Sequence, residues 1–390
     1  MFHSLRSTIK PGEVIDVHVH IAGPEGENNE LYYTSELFKK SLSYEGIKLV
    51  TKLTSAQITG PRYVSVLLSQ LKQSRHVDKI VLLALDQAYS EEGHVLTEAT
   101  HLYVSNEYLA YLSQMYPMFL FGCSVHPYRQ DAVDALWECA AHGAVLCKWL
   151  PSSQSIDPTH PLSQKFYRAL AELKMPLLIH MGPEETIPGG LSEKDELLFN
   201  AAGGKYGTNP GDAITMALDA GATVIIAHSA TPLGKLLDKH NDYWEKVFAK
   251  LLGRVEKGNP RSSLYADISA FCLPGRFKYV KQIIPLAHEM PERFLYGSDY
   301  PIPIVSFKNK SIEEVLDAFG WLAGRALPTN DFDKNYQLLE PHFSKATFTA
   351  AAKVLRHPQM PLIPLDRYRK ELGMKKRKKF WFLGRKNESI

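Results

Sequence analysis

The chain has 390 residues, 45% hydrophobic and 22% charged, the balance of a globular protein with a large core. No apolar run approaches the about 20 residues that a bilayer crossing requires, and the first ten residues lack the apolar centre of a secretory signal. The formal net charge of +3 conceals ten Lys/Arg against two Glu from Arg367 to Ile390, which leaves 35 Lys/Arg against 40 Asp/Glu elsewhere, so the body offers no basic field for nucleic acid. Cys123, Cys139, Cys147 and Cys272 do not make a disulfide framework in so long a chain, and a reducing cytoplasm is the expected location.

The first element is Val14-Ile-Asp-Val-His-Val-His-Ile-Ala-Gly23. Its alternation predicts a strand with Asp16, His18 and His20 on one face. Two histidines two apart at the end of a strand can converge on one metal ion; a pair of ordinary strand histidines is the alternative. An insertion follows from Pro24 to His76, polar at its start and with helical spacing from Arg62 to Ser74. A connection of that length suits a lid or a binding loop.

A rhythm then sets in. Apolar strands are predicted at Lys79–Asp86, Met118–Val125, Ala144–Trp149, Pro176–His180, Thr223–His228, Leu264–Ser269 and Arg293–Asp299. Between them helices are predicted at Thr100–Met115, Asp131–His142, Pro161–Lys174, Gly211–Ala220, Tyr243–Val255 and Phe277–Glu289, with Ser311–Gly324 and Phe343–Leu355 after the last strand. A second long polar segment runs from Pro183 to Pro210. Eight strands separated by helices predict an α/β protein, a (β/α)8 TIM barrel with long loops after strands 1 and 5 and a basic C-terminal tail. No Gly-rich phosphate fingerprint supports an open doubly wound sheet.

Polar residues recur at the strand ends: His18 and His20 on the first, Lys148 on the fourth, His180 on the fifth, His228 on the sixth and Asp299 on the eighth. A barrel brings those ends to one mouth, where such folds carry their chemistry. Gathering these groups in a core without compensation costs several kcal/mol per charge, and a divalent metal removes the conflict.

This ordered set resembles the amidohydrolase superfamily, and more narrowly its amidohydrolase-related branch, which also contains decarboxylases. The likeness is carried by Asp16-Val-His-Val-His20, Val125-His-Pro-Tyr-Arg129, Cys147-Lys-Trp-Leu-Pro151, Leu178-Ile-His-Met-Gly182, Ile226-Ala-His-Ser229 and Tyr296-Gly-Ser-Asp-Tyr-Pro301. The resemblance implies His18 and His20 as ligands of the more buried metal and Asp299 as ligand and proton acceptor. It implies His180 and His228 as ligands of a second metal in two-metal members. In single-metal members His180 binds the sole ion, and His228 polarises water or substrate. Lys148 stands where two-metal members carry a lysine carboxylated by CO₂ that bridges the ions; a plain lysine, ion-paired or binding a substrate anion, is the alternative. The implied metal is zinc, one or two ions per chain, although the residues alone do not choose among zinc, manganese and iron.

The reaction so implied is attack of metal-activated water on an amide, ester or lactone carbonyl of a small molecule, with Asp299 and His228 as the catalytic groups. A single-metal decarboxylase of an unsaturated or aromatic acid competes with it, as does a non-catalytic barrel with a structural metal. His126 is read as a loop or capping residue, with a place lining the mouth as the alternative, Asp267 as support for the ligands, and Glu184 and Glu185 as carboxylates either on a loop that covers the site or in solvent. The barrel is expected to span residues 1–365, with core strands between 14 and 301. The basic and aromatic tail spans 366–390, and Lys375-Lys-Arg-Lys-Lys-Phe-Trp-Phe-Leu383 suits weak contact with an anionic membrane surface or nucleic acid; a solvated tail, or one docked on a neighbouring subunit of a homo-oligomer, is the alternative.

Overall fold

The computed structural model describes residues 8–21, 31–55, 58, 60–181, 187, 210–231, 263–273, 276–302 and 329–359. Ten strands lie among them: β1 (Ile15–His20), β2 (Tyr32–Thr34), β3 (Lys79–Leu83), β4 (Leu102–Val104), β5 (Phe119–Cys123), β6 (Ala144–Trp149), β7 (Leu177–Ile179), β8 (Thr223–Ile226), β9 (Ser263–Asp267) and β10 (Phe294–Leu295). Eight form one parallel sheet in the order β1-β3-β5-β6-β7-β8-β9-β10. The ends of that sheet meet. Val17 N–H donates to Tyr296 O at 3.0 Å, Asp299 N–H to His18 O at 2.9 Å, and His20 N–H to Tyr300 O at 2.7 Å. The eight predicted strands are therefore the eight staves of a TIM barrel.

The strands read as continuous apolar runs because both of their faces are buried. One set of alternate residues, including Val17, Val81, Leu120, Leu146, Leu178 and Ile225, fills the lumen, and Ala350, Ala351 and Leu355 plug its base. The other set packs outward against the helices. The lumen is tight: a Cβ on Gly122 of β5 would lie 2.8 Å from Leu83 Cδ2 and 2.9 Å from Val81 Cγ1, so only glycine fits there.

One prediction about β1 fails in an instructive way. Strict alternation puts Asp16 on the same face as His18 and His20. In the structure the register shifts between Asp16 and Val19. Ile15 and Val17 pack in the lumen, whereas Val19 and Ile21 pack in the outer layer. A bulge resets the pleat, so Asp16 stays out of the histidine group and accepts from the N–H groups of His18 and Ser298, each at 3.0 Å.

The helix expected from Thr100 begins only at Asn106 and runs to Met115, with Ser105 capping it by accepting from Tyr108 N–H. The preceding Leu102–Val104 is a strand, antiparallel to Tyr32–Thr34. Val104 also exchanges both backbone hydrogen bonds with Leu85 after β3, which ties the insertion to the barrel rim. Alternating apolar residues before a serine cap carry both signals. Within the insertion, helices occupy Glu36–Lys39, Leu42–Thr51 and Gly60–Gln73, the last slightly longer than predicted. An unpredicted helix, Asp331–Leu339, is capped by Asn330 and binds the insertion through Asp333, which accepts from Ser74 Oγ and Arg75 N–H. The helix expected at 343–355 is two short ones, Lys345–Thr349 and Ala351–Val354. The helices expected at 243–255 and 311–324, most of the segment 183–210 including Glu184 and Glu185, and the C-terminal tail lie outside the described residues. No helix among the described residues is long and apolar enough to cross a membrane.

Candidate metal centre

The C-terminal ends of the barrel strands bring the six predicted ligand side chains, with Asp267 as expected beside them, into one cluster of polar groups. His18 and His20 come from the end of β1 and Lys148 from the end of β6. His180 follows β7, His228 follows β8, Asp267 ends β9 and Asp299 follows β10. His18, Lys148 and Asp267 are fully buried, and His180, His228 and Asp299 nearly so.

Two of these positions carry an uncommon backbone. His228 has φ 52° and Asp299 φ 63°, the left-handed region that β-carbon sterics disfavour by an order of 1–3 kcal/mol. Each is pinned from both sides. His228 N–H donates to Asp267 Oδ1 at 2.7 Å, while its carbonyl accepts from Thr231 N–H at 2.9 Å and Thr231 Oγ1 at 2.6 Å. Asp299 N–H donates to His18 O at 2.9 Å, and its carbonyl accepts from Ile302 N–H at 2.8 Å. These bonds turn both side chains into the mouth instead of along their strands.

The tightest convergence is that of His18, His20 and Asp299. His18 Nε2 lies 3.1 Å from His20 Nε2, and Asp299 Oδ1 lies 3.4 Å from each. A triangle with those sides has its centre about 1.9 Å from every corner, and zinc takes nitrogen and oxygen ligands at about 2.0–2.2 Å. His18, His20 and Asp299 are thus spaced as the ligands of such an ion would be. The protonation states agree. Burial, with the charge of Lys148 next, holds His18 well below the ordinary histidine range, so it is neutral. Its Nδ1 lies 2.8 Å from Asp267 Oδ2, which makes Nδ1 the donor and leaves the lone pair on Nε2. The residues present therefore fit a divalent cation.

A second group of three, His18, His228 and Asp267, also brings ligand atoms together, but the carboxylate of Asp267 is already committed. Its Oδ1 accepts from His228 N–H, from Ser269 N–H at 3.0 Å and from the Ser269 hydroxyl, and its Oδ2 from His18 Nδ1. Burial raises its pKa, and this shell of donors opposes that rise. His180 enters neither group; its ring centre lies 5.1 Å from that of His228, edge to face. Lys148 Nζ lies 3.1 Å from His18 Nε2, so a lysine donor and a cation contend for the same lone pair. His228 Nε2 faces Asp299 Oδ2 at 3.9 Å. Burial, and then the Arg276 guanidinium, hold His228 well below the ordinary range.

His126 is a capping residue. Its Nε2 donates to Gln154 O at 2.8 Å, its Nδ1 accepts from Tyr128 N–H at 3.1 Å, and burial lowers its pKa to about 3. Both ring nitrogens are committed, so none is left for a ligand. Asp267 supports His18 as expected. The residue that sequence reasoning passes over is Ser269, whose signal is only its position two after Asp267 on the same strand end.

A closed parallel barrel with a His/Asp ligand group at its C-terminal mouth defines a class of metal-dependent barrel proteins. Within that class the sequence matches the amidohydrolase family over residues 15–334, and the chain belongs to that metal-dependent enzyme family. No curated protein matches the sequence. Among solved structures, the chain resembles an uncharacterized TIM-barrel protein from Bordetella bronchiseptica at 13% identity and TM-score 0.48, covering 86% of this chain and 99% of that one. It resembles amidohydrolase 2 from Bifidobacterium longum subsp. infantis at 16% identity and TM-score 0.42, with coverages of 87% and 98%. A 5-carboxyvanillate decarboxylase from Sphingomonas paucimobilis is 13% identical with TM-score 0.43, at coverages of 88% and 99%. Likenesses this distant carry no weight for the reaction.

Proposed function

We propose that the chain is a metal-dependent hydrolase that cleaves an amide, ester or lactone bond of a small molecule. One observation carries this reading: His18 Nε2, His20 Nε2 and the carboxylate of Asp299 converge within 3.1–3.4 Å at the barrel mouth. His18, His20 and Asp299 would hold a divalent ion, most simply zinc. Bound there, such an ion supplies Lewis-acid polarisation and acidifies water.

The chain's own groups supply the proton handling. Asp299 Oδ1 faces the two histidines and its Oδ2 faces His228 Nε2, so Oδ2 is the atom that takes a proton from attacking water and returns it to the leaving group. His228 lies across from it, to orient water or the substrate carbonyl. Lys148 is best read as carboxylated: an ammonium 3.1 Å from His18 Nε2 would repel the ion, whereas loss of one proton to the free amine and addition of CO₂ with loss of a second would turn the side chain into an anionic carbamate ligand. His180 and His228 would then serve a second ion.

A second reading has its own support. Both ligand groups among the described residues share His18, which suits a single ion with His228 left as acid/base. In that form a carboxylic acid substrate loses CO₂ and His228 delivers the proton that replaces it. Assay of zinc-loaded protein against panels of esters, lactones and amides, beside unsaturated and aromatic acids, separates the two. Hydrolysis that Asp299→Asn abolishes at unchanged fold supports the first; CO₂ release with no hydrolysis transfers the assignment to the second.

A further inference from the structure

Ser269 is fully buried, and its hydroxyl oxygen meets three groups at once. It donates a very short hydrogen bond to Asp267 Oδ1, and it lies 2.7 Å from His228 Nδ1 and 3.0 Å from His18 Nδ1. A serine hydroxyl has one proton and two lone pairs. Asp267, an acceptor surrounded by the backbone donors of His228 and Ser269 and by His18 Nδ1, claims that proton. The two imidazoles are then left facing oxygen lone pairs.

This fixes their tautomers. If His228 carried its proton on Nε2, its Nδ1 lone pair would oppose the Ser269 lone pair at 2.7 Å, unless the serine abandoned Asp267. With the proton on Nδ1, the ring donates to the Ser269 hydroxyl oxygen at 2.7 Å, with the Ser269 carbonyl as a more distant acceptor at 3.3 Å. We propose that Ser269 is a positioning residue that holds His228 as its Nδ1–H tautomer, so that His228 presents an Nε2 lone pair to Asp299 and to the mouth. Asp267 and Ser269 together impose one tautomer on both His18 and His228, whose rings stack 4.9 Å apart at 17°. His228 then begins a reaction as a proton acceptor, and must take a proton before it can give one. This deepens the hydrolase reading, in which a group opposite Asp299 receives or orients water. It rests on that reading for the mouth as the reacting site, whereas the tautomer itself rests only on the hydrogen-bond pattern.

The test is long-range ¹H–¹⁵N correlation spectroscopy of the metal-free, full-length chain labelled in histidine nitrogen, with His228→Gln used to assign the signal. The expected wild-type pattern has Nδ1 protonated and Nε2 bare. Ser269→Ala is expected to shift His228 toward the Nε2–H form, and Ser269→Thr, which keeps the hydroxyl, to restore the wild-type pattern. A protonated Nε2 in the wild-type chain overturns the proposal, and so does an unchanged His228 signal in Ser269→Ala. If Ser269→Ala does not fold, the wild-type and Ser269→Thr spectra decide alone. Because the spectra are read without metal or substrate, a failure here is distinct from a failure of the hydrolase reading.

Discussion

Replacing Asp267 by Asn tests how the ligand group is held. The carboxylate keeps four donors: three on Oδ1 and His18 Nδ1–H on Oδ2 at 2.8 Å. Asparagine can keep one oxygen among the three. Its amide nitrogen then faces His18 Nδ1, donor against donor, and the imidazole relieves the clash by moving its proton to Nε2. That is the nitrogen whose lone pair converges with His20 and Asp299. Losing a charge-assisted hydrogen bond costs about 1.5–3 kcal/mol, and loss of a carboxylate behind a ligand histidine weakens metal binding about 10–100-fold. We expect zinc affinity, measured by chelator competition, to fall by that factor while the thermal transition stays cooperative. Affinity within twofold of wild type would refute the reasoning. Total loss of binding in a folded variant would mean that Asp267 is itself a ligand.

Further outcomes follow from other parts of the molecule. Lys148→Ala should lose metal and regain activity when short-chain carboxylic acids are added; retention of full metal content would favour the plain lysine. Gly122→Ala should lower the melting temperature, because its Cβ has 2.8 Å to Leu83 Cδ2 and overpacking of a filled core costs about 1–3 kcal/mol; an unchanged melting temperature would mean the lumen can yield. His126 has a folded pKa of about 3 against 6.5 unfolded, so the unfolded state binds the extra proton between those values. Its contribution to stability is complete above pH 6.5 and is lost as pH falls toward 3, at up to about 1.4 kcal/mol per pH unit. His126→Gln should flatten the acid limb of stability against pH by up to one proton, and equal slopes would contradict the assignment.

Much of this molecule is legible in its sequence because two-sided burial leaves an unmistakable trace. Runs such as Lys79–Leu83 and Ala144–Trp149 are buried throughout, and the second carries Lys148 within it. The candidate site stands out in the sequence for the same reason, since His180, His228 and Asp299 each interrupt an apolar run at its end. What escapes is whatever depends on geometry between strands. The bulge in β1 excludes Asp16 from the histidine face, yet nothing in Asp16-Val-His-Val-His20 marks it. The small β2–β4 sheet consists of three-residue strands, too short for a period to register. Ser269 acts through contacts to His18 and His228, 251 and 41 residues away in sequence, and looks like any strand-end serine. The helix Asp331–Leu339 buries Phe332, Tyr336, Leu338 and Leu339 in the outer core, but it is only nine residues long and its remaining positions are charged or polar, so its apolar spacing is too brief to stand out.

The measurement closest to the central claim is anomalous diffraction from crystals of the zinc-loaded chain. The account predicts a zinc peak at the barrel mouth, bonded to His18 Nε2, His20 Nε2 and Asp299 at about 2.0–2.2 Å. A zinc-loaded crystal whose anomalous peaks all lie away from those three atoms would contradict it.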